Sequence, residues 1–233
     1  MEDMERYADY NEVDEAPDGG KNPVVTLLKL LVLVLCFAVV GVLAFRVVLF
    51  NYYPSEISDL YFNKTLTDYY NSTDGDIGAK TQELRAPYDD PDFASFFCDN
   101  LIIIEGAEQL QVSVRYNSSV FDSIKEEYGV ELDPSSDGLF TFKLFRVPFE
   151  EGAEPYEIGR LDTVLTDEVM MYTYYKLVFD DVEFLDGGAK DWLRLEITLN
   201  GVEGADPYYI LIYEVSDEYD SFRDYKPGRR EKP

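Results

Sequence analysis

Closely spaced acidic side chains are the feature of this sequence whose types and spacing best suit a chemical task. A hard cation such as Ca²⁺ binds several carboxylate and carbonyl oxygens at once. Two clusters have suitable spacing: Asp89, Asp90 and Asp92, and then Asp180, Asp181 and Glu183. These six residues are the candidate metal ligands, and Ca²⁺ is the only cofactor that the sequence indicates.

The abundance of carboxylates also raises the question of catalysis. Two carboxylates can hydrolyse a glycosidic bond, but one of them needs a raised pKa, and nothing in the sequence distinguishes two acids from the others. The chain contains no histidine, which excludes a Ser-His-Asp triad, a Cys-His dyad and a histidine-bound zinc ion on this chain alone. We therefore expect a protein that is not an enzyme.

Tyrosine is the other residue type that points to a function. The chain has 19 tyrosines, and tyrosine is favoured at interfaces because its ring is rigid and amphipathic. Tyr172, Tyr174 and Tyr208 are the candidate partner-binding residues, on a face that would contact a protein or stack on a sugar. Their neighbours Tyr175 and Tyr209 could belong to the same face. The alternative is that these rings belong to the core or to an ordinary β-sheet surface.

The charge balance restricts the range of partners. Acidic residues outnumber basic ones 47 to 20, which gives a formal net charge of −27. Such a polyanion repels phosphate backbones, so we expect no nucleic-acid binding. The two cysteines, Cys36 and Cys98, lie in an apolar segment and in the polar remainder of the chain, so they cannot plausibly form a disulfide with each other.

A single apolar segment predicts a membrane helix. Residues 24–50 carry only two charges, Lys29 and Arg46, which lie near the ends and can reach the head groups. We expect this segment to contact the lipid bilayer as a signal-anchor, with the N-terminus cytoplasmic and the long C-terminal part outside. The alternative is a cleaved signal peptide with its cleavage site at Val42-Leu43-Ala44.

Composition divides the chain into five parts. We predict a disordered acidic cytoplasmic tail at 1–22, a transmembrane helix at 23–50, a stalk or irregular lead-in at 51–92, an extracytoplasmic β-sandwich at 93–216, and a basic flexible C-terminal tail at 217–233.

Short apolar runs separated by turn residues predict the fold of the main part. Gln109–Tyr116 and Trp192–Leu199 alternate apolar and polar residues, as strands with one buried face do. Residues 118–128 instead follow a helical period, with Ser119 as the expected N-cap and Gly129 at the end. The sequence therefore predicts a mainly β protein: an antiparallel sandwich of about seven strands, immunoglobulin-like or jelly-roll, with one inserted helix.

Two stretches carry a resemblance when they are taken together. They are CDNLIIIEGAEQLQVSVRYN, from Cys98 to Asn117, and YYKLVFDDVEF, from Tyr174 to Phe184, with WLRLEI after it. They resemble small, uncharacterised single-pass membrane-anchored proteins of Gram-positive anaerobic bacteria that carry no assigned function. The likeness covers roughly residues 93–215 and implies a cell-surface location and a sandwich-like fold, but it supplies no catalytic residues.

The sequence leaves three functions open. The first is a membrane-anchored, non-enzymatic module that binds a protein or glycan at the cell surface or scaffolds the envelope. The second is a calcium-dependent accessory subunit of an envelope complex. The third is a carboxylate-based glycoside hydrolase.

Overall fold

The computed structural model describes residues 23–50, 52–83, 96–133, 138–148, 152–184, 191–215 and 223–225. Contacts within the chain divide it into two units, Met1–Tyr52 and Tyr53–Pro233. Two predicted features lie outside the described residues: the acidic tail at 1–22 and the cluster Asp89, Asp90 and Asp92.

The first unit contains the predicted apolar helix, α1, which spans Pro23–Phe50. It is long and apolar enough to cross a membrane, and none of its most apolar stretch is buried within the protein. A helix that exposes apolar side chains all round is stable only in an apolar environment. The structure is therefore consistent with single-pass anchoring.

The second unit is mainly β. Its helices are α2 (Ser55–Ser58), α3 (Lys64–Ser72) and α4 (Val120–Tyr128), and a 3₁₀ turn covers Glu105–Ala107. Its strands, within the described residues, are β1 (Lys80–Glu83), β2 (Phe96–Ile104), β3 (Gln109–Asn117), β4 (Phe140–Pro148), β5 (Tyr156–Glu157), β6 (Arg160–Val169), β7 (Tyr172–Asp180), β8 (Asp191–Leu199), β9 (Tyr208–Val215) and β10 (Arg223–Asp224).

The strands form two antiparallel sheets. The six-stranded sheet has the order β10-β1-β2-β3-β7-β6, and the four-stranded sheet has the order β5-β4-β8-β9. The main apolar core combines residues of both sheets, such as Val112 and Leu177 from the first and Phe142 and Leu195 from the second. This arrangement confirms the prediction of a mainly β protein built from two antiparallel sheets.

The clearest sequence patterns give the elements that they predict. In β8 the side chains at alternate positions, Leu193 to Leu199, are at most 4% exposed. Gly129 ends α4 with φ of 66°, a left-handed conformation that a glycine adopts without steric cost. The prediction that the Ser119 side chain caps α4 is wrong, because that side chain makes no capping hydrogen bond. The Ser119 backbone N–H instead donates to Asn117 Oδ1 at 3.0 Å.

The described part of the segment predicted as a stalk or irregular lead-in packs closely against the domain. Residues 53–79, which we call the lead-in, pack on the face of the six-stranded sheet that points away from the main core. Apolar residues of the lead-in, of β2 and of the 3₁₀ turn after it form a second, smaller core there: Leu60, Leu66, Ala79, Ile102, Ile104 and Ala107. The central strands β2, β3 and β7 are consequently covered on both faces, whereas alternate side chains of the edge strand β6 stay exposed.

The row of polar side chains on β3 shows why this layer was not evident from the sequence. Gln109, Gln111 and Ser113 alternate with apolar residues, which indicates a solvent-facing side, yet all three are 0% exposed. The Gln111 amide accepts from Tyr61 N at 2.9 Å and donates to Tyr61 O at 2.7 Å. Ser113 Oγ donates to Ile57 O at 2.7 Å. Gln111 and Ser113 thus bind the backbone of the lead-in as a neighbouring strand would.

The C-terminal segment is also part of the fold where the structure describes it. β10 pairs with β1, and the Tyr225 backbone N–H donates to Ala79 O at 2.8 Å. The Tyr225 hydroxyl accepts from Leu60 N at 2.9 Å. The predicted flexible tail at 217–233 therefore contains one short strand and one ring that close the lead-in layer.

The burial of β8 makes the fold testable with one substitution. Leu195 is 0% exposed and lies between the two sheets, so Leu195→Asp places a carboxylate in an apolar environment. We expect a loss of about 4 kcal/mol or more in the free energy of unfolding, measured by denaturant titration with circular dichroism. Thr198→Asp, on the opposite face of the same strand, is the matched control. Equal stability of the two variants would contradict the assigned face of β8.

Candidate functional site

Two of the three candidate tyrosines lie on the face of β7 that the lead-in covers. Tyr174 is 0% exposed, and its ring meets the Tyr53 ring edge-on with centroids 5.1 Å apart. Tyr172 is half-buried beside it, at 6.3 Å between ring centroids. The structure thus brings these two tyrosines together, but it places the Tyr174 ring in the interior.

A buried guanidinium organises this aromatic group. Arg115, on β3, is 3% exposed, and its guanidinium carbon lies over the rings of Tyr53, Phe97 and Tyr172 at 4.9, 5.3 and 5.0 Å. Burial, and then the charge of Asp99, raise the pKa of the Tyr53 hydroxyl. The group holds the start of the lead-in on the sheet, which is a structural task rather than an open binding surface.

The third candidate, Tyr208, lies on the core side of β9. Its ring is 5.0 Å from that of Phe96, and burial raises the pKa of its hydroxyl. The next residue, Tyr209, points to the opposite face and is 43% exposed. Because side chains alternate along a strand, the register of β9 decides which of two adjacent tyrosines faces solvent.

The acidic cluster at the end of β7 is divided by burial. Asp180 is 1% exposed, and its carboxylate accepts hydrogen bonds from Asn63 Nδ2 at 3.0 Å, Thr65 Oγ1 at 2.8 Å and Gln109 Nε2 at 2.7 Å. Asn63 Nδ2 also donates to Asp162 at 2.9 Å. That bond is the main cause that lowers the pKa of Asp162. The Asp180 oxygens thus bind the N-terminus of α3 to the sheet.

The other two members of that cluster are exposed. Asp181 accepts from Arg160 Nε at 3.3 Å, and Glu183 lies in the irregular segment after β7. Among the described residues, no group of three or more acidic or cysteine side chains is arranged to hold a metal ion, so Asp180, Asp181 and Glu183 do not form one. Calcium binding stays a prediction.

A second group of aromatic side chains lies on the outer face of the four-stranded sheet, where Tyr209 is 43% exposed and the others are half-buried. We call it the outer face and define it by Phe145 of β4, Trp192 and Arg194 of β8, and Tyr209 of β9. The Arg194 guanidinium carbon lies 5.4 Å from the centre of the Phe145 ring and 4.4 Å from that of Tyr209. Phe145 and Arg194 are directly opposite each other in the β4–β8 ladder, and Trp192 pairs with Val147.

Charged residues surround these rings. Lys143 Nζ lies 2.9 Å from Glu157 Oε2, and this contact raises the pKa of the lysine. Glu196 lies opposite both Lys143 and Tyr209 in the neighbouring ladders. No carboxylate of the described residues forms an ion pair with Arg194. A guanidinium whose faces stack on rings keeps in-plane N–H donors for a partner.

Of these four residues, only Tyr209 belongs to the tyrosine-rich face predicted from the sequence; Phe145, Trp192 and Arg194 were not candidates. Trp192 and Arg194 occupy the polar positions of an alternating strand, where a tryptophan is unusual. That position was the available signal. Phe145 carried no comparable signal, and only the pairing of β4 and β9 with β8 places Phe145 and Tyr209 beside Arg194.

The Asp180 network yields a stability prediction. Asn63→Ala removes the side chain that caps α3 through Leu66 N at 3.0 Å and that donates to two carboxylates. We expect the free energy of unfolding to fall by about 2–4 kcal/mol, measured by denaturant titration. Asn71→Ala, at an exposed position of the same helix, is the matched control and should stay close to the parent. A parent-like Asn63→Ala would show that the lead-in contributes little to stability.

Comparison with known proteins identifies no relative of this chain. No protein-family model matches the chain, and no curated protein or solved structure shows significant similarity to it. The resemblance to membrane-anchored proteins of Gram-positive anaerobes accordingly stays a prediction, and any proposal of function rests on the geometry.

Proposed function

We propose that this protein is a membrane-anchored, non-enzymatic binding module whose outer face holds a protein or glycan partner at the cell surface. The observation that carries the proposal is the group of Phe145, Trp192, Arg194 and Tyr209 on one accessible side of the four-stranded sheet. Tryptophan, tyrosine and arginine are the residues that most often dominate binding energies at interfaces.

The composition of the outer face supports recognition of a partner by stacking. Aromatic rings offer apolar area at little cost in conformational entropy, and they can cover either apolar side chains or the C–H face of a sugar ring. The surrounding lysine and glutamates supply a polar rim, as recognition surfaces commonly have. The lack of histidine in the chain supports a binding role over a catalytic one.

The proposed location is the cell membrane, with the N-terminus cytoplasmic and the domain outside. α1 supports the anchor because it is long and apolar enough to span. Lys21 and Lys29 on the N-terminal side, with Arg6 further away, slightly exceed Arg46 and Lys64 on the other side, which favours this orientation. No observation on the described residues favours the calcium-dependent subunit or the glycoside hydrolase over the binding module.

A photo-crosslinking experiment on the full chain tests the proposal. The photoreactive p-benzoylphenylalanine replaces Tyr209, at the outer face, and in a second variant it replaces Tyr156, which is 45% exposed in the short edge strand β5. In cells that carry the protein, we expect a discrete crosslinked product from position 209 and none from position 156. Purified full chain in nanodiscs is tested in parallel for retention on cell-wall polysaccharide.

The substitution Arg194→Ala tests whether the crosslink at position 209, or the retention on polysaccharide, depends on the outer face. It removes the group that both aromatic rings contact, so we expect it to reduce the crosslink or the polysaccharide retention at least about tenfold, as loss of an interface arginine commonly does. Thr141→Ala, on the same strand as Phe145 but distant from the rings, should bind like the parent. The proposal fails if neither assay shows binding that depends on Arg194.

A further inference from the structure

Two polar donors on the outer face have no partner within the described part of the chain. Trp192 is half-buried, and its indole N–H makes no hydrogen bond to a described residue. The Arg194 guanidinium likewise has neither a hydrogen bond nor an ion pair there, and its Nε atom is buried. Buried or half-buried N–H groups of these types normally have an acceptor. The outer face thus offers donors to acceptors from outside the domain.

The charge of Arg194 is unpaired in a chain where carboxylates are abundant, with 47 acidic residues to 20 basic ones. Lys143, on the adjacent strand β4, lies 2.9 Å from Glu157 Oε2. Glu196 follows Arg194 two positions along β8, on the same face, but the two described side chains form no ion pair. Arg194 consequently keeps its positive charge for a partner, and a guanidinium is complementary to a carboxylate.

The spacing of Trp192 and Arg194 indicates the size of that partner. They lie two residues apart on β8, so both side chains point to the outer face about 7 Å apart. The guanidinium carbon lies 5.4 and 4.4 Å from the ring centres of Phe145 and Tyr209, which restricts the Arg194 side chain. The Trp192 ring stacks on no other described ring. The outer face thus presents a charged donor and an open ring at a spacing that one or two sugar units can span.

We propose that the outer face binds an acidic sugar, whose carboxylate pairs with Arg194 and whose neighbouring ring stacks on Trp192. This inference rests on the proposed function and deepens it, because it names the partner as a glycan that carries carboxylate groups. Hydroxyl groups of the sugar accept from the indole N–H, and its C–H face covers the apolar ring. An acidic peptide segment also supplies a carboxylate, but it lacks the hydroxyl-rich ring that matches the indole.

The net charge of −27 restricts the length of this ligand. Carboxylates of the domain repel a long polyanion, and this repulsion acts over about 8 Å at physiological ionic strength. A short acidic oligosaccharide, or the acidic end of a larger glycan, brings a carboxylate to Arg194 with less repulsion. The ligand is therefore a glycan with few carboxylates rather than a continuous polyanion.

Tryptophan fluorescence tests this inference. Because Trp192 is the only tryptophan of the chain, its emission reports directly on a ligand at the outer face. Purified full chain in detergent is titrated with trigalacturonic acid and with 3′-sialyllactose, each beside its methyl ester, at matched ionic strength. Acid and ester differ in the charge of the carboxyl group, so they are matched probes. The peptide tetraglutamate is the probe for an acidic protein partner.

We expect an acidic sugar to shift the emission of Trp192 and to bind at least about tenfold more tightly than its ester, since a charge-assisted hydrogen bond is lost with the charge. Arg194→Gln should bring acid and ester to equal affinity, because it removes the charge and keeps a polar side chain. Lys143→Gln is the matched control. Its ratio of acid to ester affinity should equal that of the parent, because Lys143 is already paired with Glu157.

The other outcomes separate this inference from the proposed function. Equal binding of acid and ester by the parent would overturn the acidic class of ligand and leave the outer face as a sugar-binding surface. Binding of tetraglutamate alone would identify an acidic protein segment and overturn the glycan. No change in emission with any probe would overturn this inference, whereas an Arg194-dependent crosslink at position 209 would still support the proposed function. If circular dichroism shows that Arg194→Gln does not fold, Arg194→Lys replaces it, and an acid-to-ester ratio equal to the parent's would contradict the inference.

Discussion

The structure depends on the hydrogen-bonding of polar side chains between the six-stranded sheet and the lead-in. A buried amide or hydroxyl that lacks a partner costs about 1–3 kcal/mol, so Gln109, Gln111 and Ser113 are tolerable in the interior only because the lead-in supplies their partners. The dependence is mutual. The short helices α2 and α3 bury few apolar groups of their own, and the sheet holds their backbone in place.

This constraint assigns different tasks to the two sheets. The central strands of the six-stranded sheet are covered on both faces, and the lead-in covers one of them. The four-stranded sheet has only one face in the core, and its other face carries Phe145, Trp192, Arg194 and Tyr209. The two sheets thus differ in exposure: the lead-in packs on one side of the domain, and the outer face of the four-stranded sheet, with Tyr209 43% exposed, lies on the other.

The strands and the main turns were predictable because their signals are local. Alternation in β3 and β8 follows from the two-residue period of a strand with one apolar face, and Gly129 ends α4 because it adopts a positive φ at no steric cost. β1, β10 and the packing of the lead-in were not predictable. The two strands are short and polar, and their stability comes from partners that are distant in the chain. The lead-in is longer, but its packing also depends on partners in distant strands.

The sequence by itself determined the apolar helix, the mainly β character of the domain, the acidic charge and the lack of histidine chemistry, since each depends on composition or on a local period. Only the tertiary structure decided which polar residues are buried, that Tyr209 rather than Tyr208 faces outward, and that Arg194 lies between two aromatic rings. The reason is physical: alternation shows that a strand has two faces, but what covers each face depends on segments that are remote in sequence and meet only in the folded chain.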